Sequence, residues 1–222
     1  AFDFSPDGKS IAVVSTRSCT IFDLETDERT GRLAPLGGAI AIRYSPDGRR
    51  LLGIVGKDGS YHVRSCDVAT GEEMTDAIAL DEPFYSLAVS SDGNLVATGH
   101  DSGSVLLWNA ATLEPVKRLQ TGGADRTRPL FSPDGKTIAL CGQSKADVAF
   151  FDVQTGRELR RMHHDKGAFN TLTRRDKEEA VRPEYDPARI AFSPDGKLFV
   201  SGCYGGVIRR MDTGNELKRL TP

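Results

Sequence analysis

One short turn motif occurs five times and constrains the fold of this chain more than any other feature. Its copies are FSPDGK at 4–9, YSPDGR at 44–49, a weaker VSSDGN at 89–94, and FSPDGK at 131–136 and 192–197. Proline presets φ at the second turn position, serine and aspartate suit the polar positions, and glycine accepts the backbone twist that follows. Because apolar runs flank the motif, it predicts a β-hairpin. Five copies of one hairpin predict a repeat protein.

The spacing of the copies indicates the size of the repeated unit. Between successive turn aspartates the intervals are 40, 45, 42 and 61 residues, for Asp7, Asp47, Asp92, Asp134 and Asp195. Three intervals match the roughly 40–45 residues of a four-stranded propeller blade. The fourth corresponds to one blade plus a loop insertion of about twenty residues.

A second motif stands sixteen to twenty residues after each turn. Its copies are IFDLETD at 21–27, SCDVATG at 65–71, LWNAATL at 107–113, FFDVQTG at 150–156 and RMDTG at 210–214. With both motifs in register over nearly the whole chain, the sequence resembles the WD-repeat family of β-propellers. Five copies in register are strong evidence for the fold, whereas propellers as a class host many activities.

The resemblance assigns the tryptophan–aspartate pair of that family to one dipeptide in each repeat. These dipeptides are Phe22-Asp23, Cys66-Asp67, Trp108-Asn109, Phe151-Asp152 and Met211-Asp212. Trp108 is the only tryptophan, and we expect its indole to pack between blades rather than to form a ligand platform.

The resemblance implies an all-β fold, a β-propeller segment of about five four-stranded antiparallel blades. Because the chain starts at an inner strand and ends at an outer one, we favour an open arc of a seven- or eight-bladed ring over a closed ring of five blades. The expected blades are residues 1–38, 39–82, 83–121, 128–162 and 188–222, with a loop insertion at 163–187. By the same resemblance, each Ser-Pro-Asp-Gly turn joins the first two strands of a blade on one face. The turns between the second and third strands share the opposite face with the connections between blades, including the insertion.

Charge and composition narrow the classes of function. The chain has 29 basic and 31 acidic residues, a net charge of −2, which argues against broad attraction to nucleic acid or anionic membranes. The apolar runs are shorter than the roughly 20 residues of a membrane span. The four cysteines, which form no C-x-x-C pair, are expected to be buried free thiols. Free thiols and the absence of an N-x-[ST] acceptor favour a cytoplasmic location.

Catalytic and metal-binding motifs are missing from the sequence. It contains no G-x-S-x-G, H-E-x-x-H, P-loop or dinucleotide-binding pattern. His163 and His164 are adjacent, and adjacent side chains on an extended chain point to opposite sides, so they converge poorly on one metal ion. We therefore expect no catalysis, no cofactor, no metal and no small-molecule substrate. Because the chain opens inside a strand, we also expect it to be a piece of a longer protein.

The function that we expect is a non-catalytic scaffold whose rigid blades present loop side chains to protein or peptide partners. Candidate contact residues lie in the insertion and in the turns after the second strands: His164, Arg174, Arg175, Tyr185, Lys57, His100, Lys145 and Tyr204. Two alternatives remain open. One is a sensory or regulatory domain of a larger protein, since similar arrays occur in bacterial proteins that carry a kinase. The other is a propeller enzyme such as a lactonase or hydrolase.

Overall fold

Antiparallel strands make up nearly all of the regular structure in a computed structural model of the chain. It describes residues 1–57, 60–74, 78–80, 83–120, 122, 126–142, 148–162, 189–202 and 206–220. The first two sheets comprise β1 (Phe2–Phe4), β2 (Ser10–Val14), β3 (Cys19–Asp23), β4 (Arg29–Leu33), β5 (Ala39–Tyr44), β6 (Arg50–Lys57), β7 (Ser60–Asp67) and β8 (Ile78–Leu80). A 3₁₀ turn, Ala34–Leu36, joins them.

Three further sheets follow the same plan. Their strands are β9 (Phe84–Val89), β10 (Leu95–His100), β11 (Ser104–Asn109), β12 (Pro115–Gln120), β13 (Thr127–Phe131), β14 (Thr137–Gly142), β15 (Val148–Asp152), β16 (Glu158–Met162), β17 (Arg189–Phe192), β18 (Leu198–Gly202), β19 (Gly206–Arg210) and β20 (Glu216–Leu220). Within every sheet the strands pair in chain order, so each of the five sheets is a four-stranded meander. The prediction of an all-β fold with five four-stranded antiparallel units is confirmed.

The Ser-Pro-Asp-Gly turns hold their shape through the side chains that the motif supplies. In the fourth copy, the Ser132 hydroxyl donates to Asp134 Oδ1 at 2.6 Å, and the same carboxylate accepts the Lys136 N–H at 3.1 Å. Gly135 follows with φ of 69°, a left-handed conformation that glycine adopts at little cost. The serine–aspartate hydrogen bond recurs in the other four copies. Local turn chemistry therefore sets the hairpin register in each sheet.

Successive sheets pack face to face. We call the face of a sheet that contacts the sheet before it the preceding face, and the opposite side the following face. In the first interface, Ala12 and Ile21 of the first sheet form one buried cluster with Ile42, Tyr44 and Leu51 of the second. Three similar clusters fill the other interfaces. Trp108, 5% exposed, belongs to the cluster between the second and third sheets, which confirms that its indole packs between repeats.

Basic side chains of one sheet also bind carbonyls in a turn of the next. Arg50 Nη1 donates to the Ala110 carbonyl at 2.7 Å, and Arg160 Nη2 donates to the Asp212 carbonyl at 2.8 Å. Lys117 Nζ donates in the same way to the carbonyl of Gln154. These bonds satisfy turn carbonyls that face the neighbouring sheet, so they tie together three of the four pairs of adjacent sheets, all but the first.

One strand begins earlier than the sequence indicates. The sequence pattern favours a fourth strand over residues 32–36, whereas β4 begins at Arg29 and ends at Leu33. A bulge between Ile21 and Phe22 places Phe22 opposite Arg29, which moves the pairing of β4 towards the turn. Pro35 lacks an N–H group and lies in the 3₁₀ turn that follows.

Cys19, Cys66 and Cys141 are buried and form no disulfide within the described residues, as expected, whereas Cys203 lies outside them. Burial raises the pKa of Cys19 to about 11 and that of Cys66 to about 12, because the apolar surroundings disfavour a thiolate. Within the described part of the chain, no helix is long and apolar enough to cross a membrane.

Candidate interaction face and central cavity

The first strands of the sheets are the innermost strands of the array and begin at the same rim. β1 contacts β5, β5 contacts β9, and β9 contacts β13. The Ser-Pro-Asp-Gly turns lie next to one another at the other ends of these strands, where Pro6 faces Gly48 and Pro46 faces Gly93. We call the rim where the innermost strands begin the upper rim and the rim with these turns the lower rim.

A cavity of about 480 Å³ lies where the innermost strands converge. Every sheet contributes to its lining, which includes Phe2, Ile40, Arg43, Ser86, Arg128 and Ile190. The side chains of Phe2 and Ile40 are 65% and 49% exposed, so apolar surface is available there. The five sheets are thus arranged around a common space, as a propeller segment requires.

Polar side chains of the innermost strands bind the free edges of the neighbouring innermost strands. Asp3 Oδ2 accepts the Tyr44 N–H at 2.8 Å, which links β1 to β5. The Ser86 hydroxyl donates to the Thr127 carbonyl at 2.9 Å and links β9 to β13. Because an innermost strand has no ladder partner on its inner side, these contacts satisfy groups that would otherwise depend on water.

Two arginines give the wall a cationic character. Arg43 Nη1 donates to the Ile42 carbonyl at 2.7 Å and lies 3.8 Å from Asp3 Oδ1. Burial raises the pKa of the Asp3 carboxyl, although its hydrogen bond with Tyr44 and the charge of Arg43 act in the opposite direction. Arg128 lies on the same wall and is exposed. The described lining therefore combines apolar side chains with two guanidinium groups.

Most of the predicted contact residues lie outside the described residues. They are His164, Arg174, Arg175, Tyr185, Lys145 and Tyr204, and the side chain of Lys57 is also undescribed, although Lys57 ends strand β6. The connections that contain these positions run from β14 to β15, from β16 to β17 and from β18 to β19. In an antiparallel meander, all three connections start and finish at the upper rim. Their assignment to partner binding stays a prediction.

His100 is the one predicted contact residue whose side chain is described, and it lies in the interior. The residue is 1% exposed, and its Nε2 atom is 2.9 Å from Thr98 Oγ1. Trp108 Nε1 donates to the same hydroxyl oxygen at 2.9 Å. Thr98 and His100 stand two apart on β10, so both point to the same side of the sheet. The buried ring offers no surface to a partner, and its hydrogen bonds give it a structural role.

The fifth copy of the second motif needs a correction. The Gly71 N–H donates to the Asp67 carbonyl, and the equivalent bond in the fifth sheet runs from Gly214 to Arg210. Arg209 and Arg210 therefore occupy the tryptophan–aspartate position there, not Met211 and Asp212. The carboxylate of Asp212 instead accepts the N–H of the next residue, Thr213, at 2.7 Å. Counting back four residues from the glycine of each Thr-Gly pair would have located the correct position.

Among the residues that the structure describes, no three His, Cys, Asp or Glu side chains come together as a possible metal site. The predicted absence of catalysis, cofactor and metal stays a prediction. What the described geometry offers is a rigid frame, an apolar and cationic cavity, and one rim that receives the long connection from β16 to β17.

Two segments of the chain are similar to a known repeat family. The family model described as "WD domain, G-beta repeat" matches residues 80–109 and 188–210. These matches cover the first three strands of the third and fifth sheets. The chain is 25% identical over 170 residues to "Small ribosomal subunit protein RACK1" of Neurospora crassa, which covers 76% of this chain and 49% of that protein.

Two further relatives carry names that describe subunits of assemblies. "Guanine nucleotide-binding protein subunit beta" of Oryza sativa subsp. japonica is 26% identical over 228 residues, 95% of this chain and 56% of that protein. "Target of rapamycin complex subunit wat1" of Schizosaccharomyces pombe is 31% identical over 91 residues, 38% of this chain and 29% of that protein. The chain therefore spans about half or less of the length of the relatives that it matches.

Proposed function

We propose that the chain is a non-catalytic scaffold that binds protein or peptide partners at its upper rim, because two of its segments match the WD-repeat family model. One observation carries the proposal: all five sheets meet around a single cavity whose lining leaves apolar and cationic side chains exposed. The names of three relatives support the proposal, since two are described as subunits of a protein or complex and the third as a protein of the small ribosomal subunit.

The rigidity of the frame favours binding. The wall of the cavity consists of strands that are anchored on both sides, by the buried clusters and by the bonds from Asp3 and Ser86. Few backbone or side-chain degrees of freedom in the wall remain to be lost on association, so less ordering entropy opposes binding. We propose that residues of the connections that start and finish at the upper rim supply the variable contacts.

The charge of the wall indicates the chemistry of the partner. Arg43 and Arg128 line the cavity, and Arg174 and Arg175 belong to the connection from β16 to β17. A partner segment with carboxylates beside an apolar side chain complements this set, because guanidinium groups pair well with carboxylates and Phe2 and Ile40 offer apolar surface. The proposal includes no cofactor and no catalytic step, and the free thiols of the described cysteines support a reducing, cytoplasmic compartment.

The test compares two double variants of the tagged chain. Arg174→Ala with Arg175→Ala alters the upper rim, and Lys136→Ala with Lys197→Ala is a matched control that removes the same charge from the lower rim. Partners are captured from an extract of the source organism, identified by mass spectrometry, purified and titrated by calorimetry. We expect the upper-rim variant to weaken binding by about tenfold or more, with the lower-rim variant unchanged.

Two results would contradict the proposal. Equal loss in both variants would mean that net charge, not the upper rim, controls binding. Unchanged affinity in the upper-rim variant would move the site away from the insertion, and Arg43→Ala would then show whether the cavity itself contributes. Weaker binding at higher salt is expected in every case in which the arginines contact carboxylates.

A further inference from the structure

One position in each sheet determines whether the gap to the next sheet is filled near the lower rim. It lies five residues after the turn serine, on the following face, and in the first four sheets it is Ser10, Arg50, Leu95 and Thr137. Arg50 Nη1 donates to the Ala110 carbonyl at 2.7 Å, and Leu95 packs against the cluster between the third and fourth sheets. The two long side chains therefore fill their gaps, whereas the two short hydroxyl side chains leave space.

The space beside Ser10 is an open cleft of about 440 Å³ between the turns of the first and second sheets. Pro6 of the first turn, Pro46 of the second turn and Val68 contribute apolar walls. The space beside Thr137 is smaller, about 290 Å³, and its lining includes two buried phenyl rings. The larger cleft differs from the smaller one in the polar groups that line it.

The first of these polar groups is the hydroxyl of Tyr44, which lies on the preceding face of the second sheet. Tyr44 lines the cleft and is 6% exposed, and its hydroxyl oxygen makes no hydrogen bond with the described residues. Burial raises the pKa of this hydroxyl, and the nearby Ser10 side chain acts in the opposite direction without a hydrogen bond of ordinary geometry. The equivalent positions in the other sheets carry no hydroxyl: Phe4, Val89, Phe131 and Phe192. Because a buried polar group without a partner is costly, a ligand that supplies one is favoured.

Two carboxylates line the same cleft from opposite sheets, those of Asp7 and Asp47. Oδ1 of Asp7 accepts a hydrogen bond from the Ser5 hydroxyl at 2.6 Å, and Oδ1 of Asp47 accepts one from the Ser45 hydroxyl at 2.5 Å. These bonds hold the pKa of both carboxyl groups below the usual value, so both are ionised at neutral pH. The turns use Oδ1 of each carboxylate, which leaves Oδ2 for a ligand.

We propose that this cleft binds a primary ammonium group on a short apolar stem, such as a lysine side chain or a free alkylamine. Two negative charges recognise the ammonium, the Tyr44 oxygen is a further acceptor, and the proline rings and Val68 contact the stem. The basic residues of the two turns, Lys9 and Arg49, are exposed and do not line the cleft, so its own lining stays acidic. The site lies on the lower rim and is separate from the upper-rim surface of the proposed function.

The test titrates the purified chain with n-butylammonium and with neutral 1-butanol, followed by two-dimensional NMR of the backbone amides. We expect n-butylammonium to shift the amide signals of Gly48 and Val68 until they saturate, with a dissociation constant of about 1–10 mM at low salt. Binding of 1-butanol should be at least about tenfold weaker, because it has the stem without the charge. Equal binding of the two probes, or shifts that never saturate, would overturn the proposal.

Four variants locate the site, with thermal unfolding to show that each is folded. Ser10→Leu places the residue of the third sheet at this position, fills the cleft and should abolish binding. Asp47→Asn keeps an oxygen for the turn hydrogen bonds and should weaken binding by about fivefold or more. Asp92→Asn is the matched control, because it removes the same charge from a turn in which Oδ2 already accepts a hydrogen bond from Asn94 Nδ2 at 2.9 Å. Tyr44→Phe should weaken binding by about threefold without lowering stability, because its hydroxyl has no partner in the free chain.

Two results with these variants would also overturn the proposal: an equal loss of binding in Asp92→Asn and Asp47→Asn, or unchanged binding in folded Ser10→Leu. A blocked tripeptide with a central lysine then identifies the source of the ammonium group. Tighter binding of the tripeptide than of n-butylammonium indicates a protein partner that inserts a lysine, and weaker binding indicates a free alkylamine.

Discussion

The third and fifth sheets contain the same hydrogen bond between their second and third strands, made by different side chains. In the third sheet, Trp108 Nε1 donates to Thr98 Oγ1 at 2.9 Å, and His100 joins the same hydroxyl. At the equivalent positions of the fifth sheet, Arg209 Nη1 donates to Ser201 Oγ at 3.5 Å. Arg209 Nη2 also lies 3.7 Å from Glu216 Oε2.

The two side chains differ in how much solvent they reach. Trp108 is 5% exposed in a sheet with a neighbour on both sides, where an unpaired charge would be costly. The Arg209 and Glu216 side chains keep 13% and 38% of their surface in solvent, so water still hydrates both charges. The family model matches segments of both sheets, although only the third sheet has the tryptophan. The match therefore depends on the pattern of strands and turns and does not require that residue.

The largest expected effect is the removal of the indole. Trp108→Ala should lower the free energy of unfolding by about 3–5 kcal/mol, because it opens a cavity between the second and third sheets. Arg209→Ala should cost about 1 kcal/mol or less, since the ion pair that it breaks is partly solvated. Urea unfolding followed by circular dichroism measures both. Equal losses of unfolding free energy in the two variants would contradict the proposed difference between the two sheets.

The turn before the fourth strand provides the second test. Leu113 has φ of 57° and is 0% exposed, whereas its counterpart in the fifth sheet is Gly214 with φ of 74°. Leu113→Gly should destabilise the chain by about 2 kcal/mol or more, because the loss of buried side chain outweighs about 1 kcal/mol of relieved backbone strain.

Gly214→Ala is the reciprocal change and should cost about 1 kcal/mol through strain at positive φ. The Cβ that it adds would lie 2.6 Å from Met162 Cε and 2.7 Å from Arg160 Nη1, so the ends of both side chains must shift, and the Arg160 hydrogen bond to the Asp212 carbonyl would be disturbed. Thermal unfolding of both variants gives the comparison. A gain in stability for Leu113→Gly would show that strain, not burial, dominates at this turn.

The hydrogen-bond network itself is tested by removing one hydroxyl from each sheet. Thr98→Val keeps the shape of the side chain but leaves the buried Trp108 N–H without its acceptor, which should cost about 1–2 kcal/mol. Ser201→Ala removes a bond of 3.5 Å and should cost less than about 0.5 kcal/mol. The shift in urea midpoint at constant slope measures each cost, and a larger shift for Ser201→Ala would contradict the assignment.

The smallest effect concerns pH, and here the two sheets should behave alike. The hydroxyl of Ser90 holds the pKa of Asp92 below its usual value, and Ser193 does the same for Asp195. A lowered folded-state pKa stabilises the fold above the unfolded value of about 4, and this contribution is lost as the pH falls through the folded-state pKa. Asp92→Asn and Asp195→Asn should each flatten the loss of stability between about pH 5 and pH 3. Unchanged slopes would argue against the turn hydrogen bonds.

The sheets were predictable because their signals are local. A Ser-Pro-Asp-Gly turn is determined by its own side chains, so each of the hairpins could be placed from a few adjacent residues. The start of β4 was missed because it depends on a bulge in the partner strand. The equivalence of Arg210 to the motif aspartates was missed because the only aspartate nearby in the sequence is Asp212. The hydrogen bond that defines the turn is accepted by the Arg210 carbonyl instead.

Much less of the candidate site could be predicted from the sequence. The cavity wall combines Arg43 and Arg128, which are 85 positions apart in the chain, and only the arrangement of the sheets brings them to one space. His100 was expected at the surface because it ends a strand. It lies two residues after Thr98 on the same strand, so both side chains point to the buried side. The contact residues proposed in the insertion await a test by binding.

Among the described residues, each apolar cluster joins one sheet to the next, together with a few bonds such as that from Arg50 to Ala110. In an array of this kind, each repeat is stabilised by the repeats that flank it. The third sheet has a described neighbour on both faces, so the amide protons of β10 and β11 should be among the last to exchange with solvent.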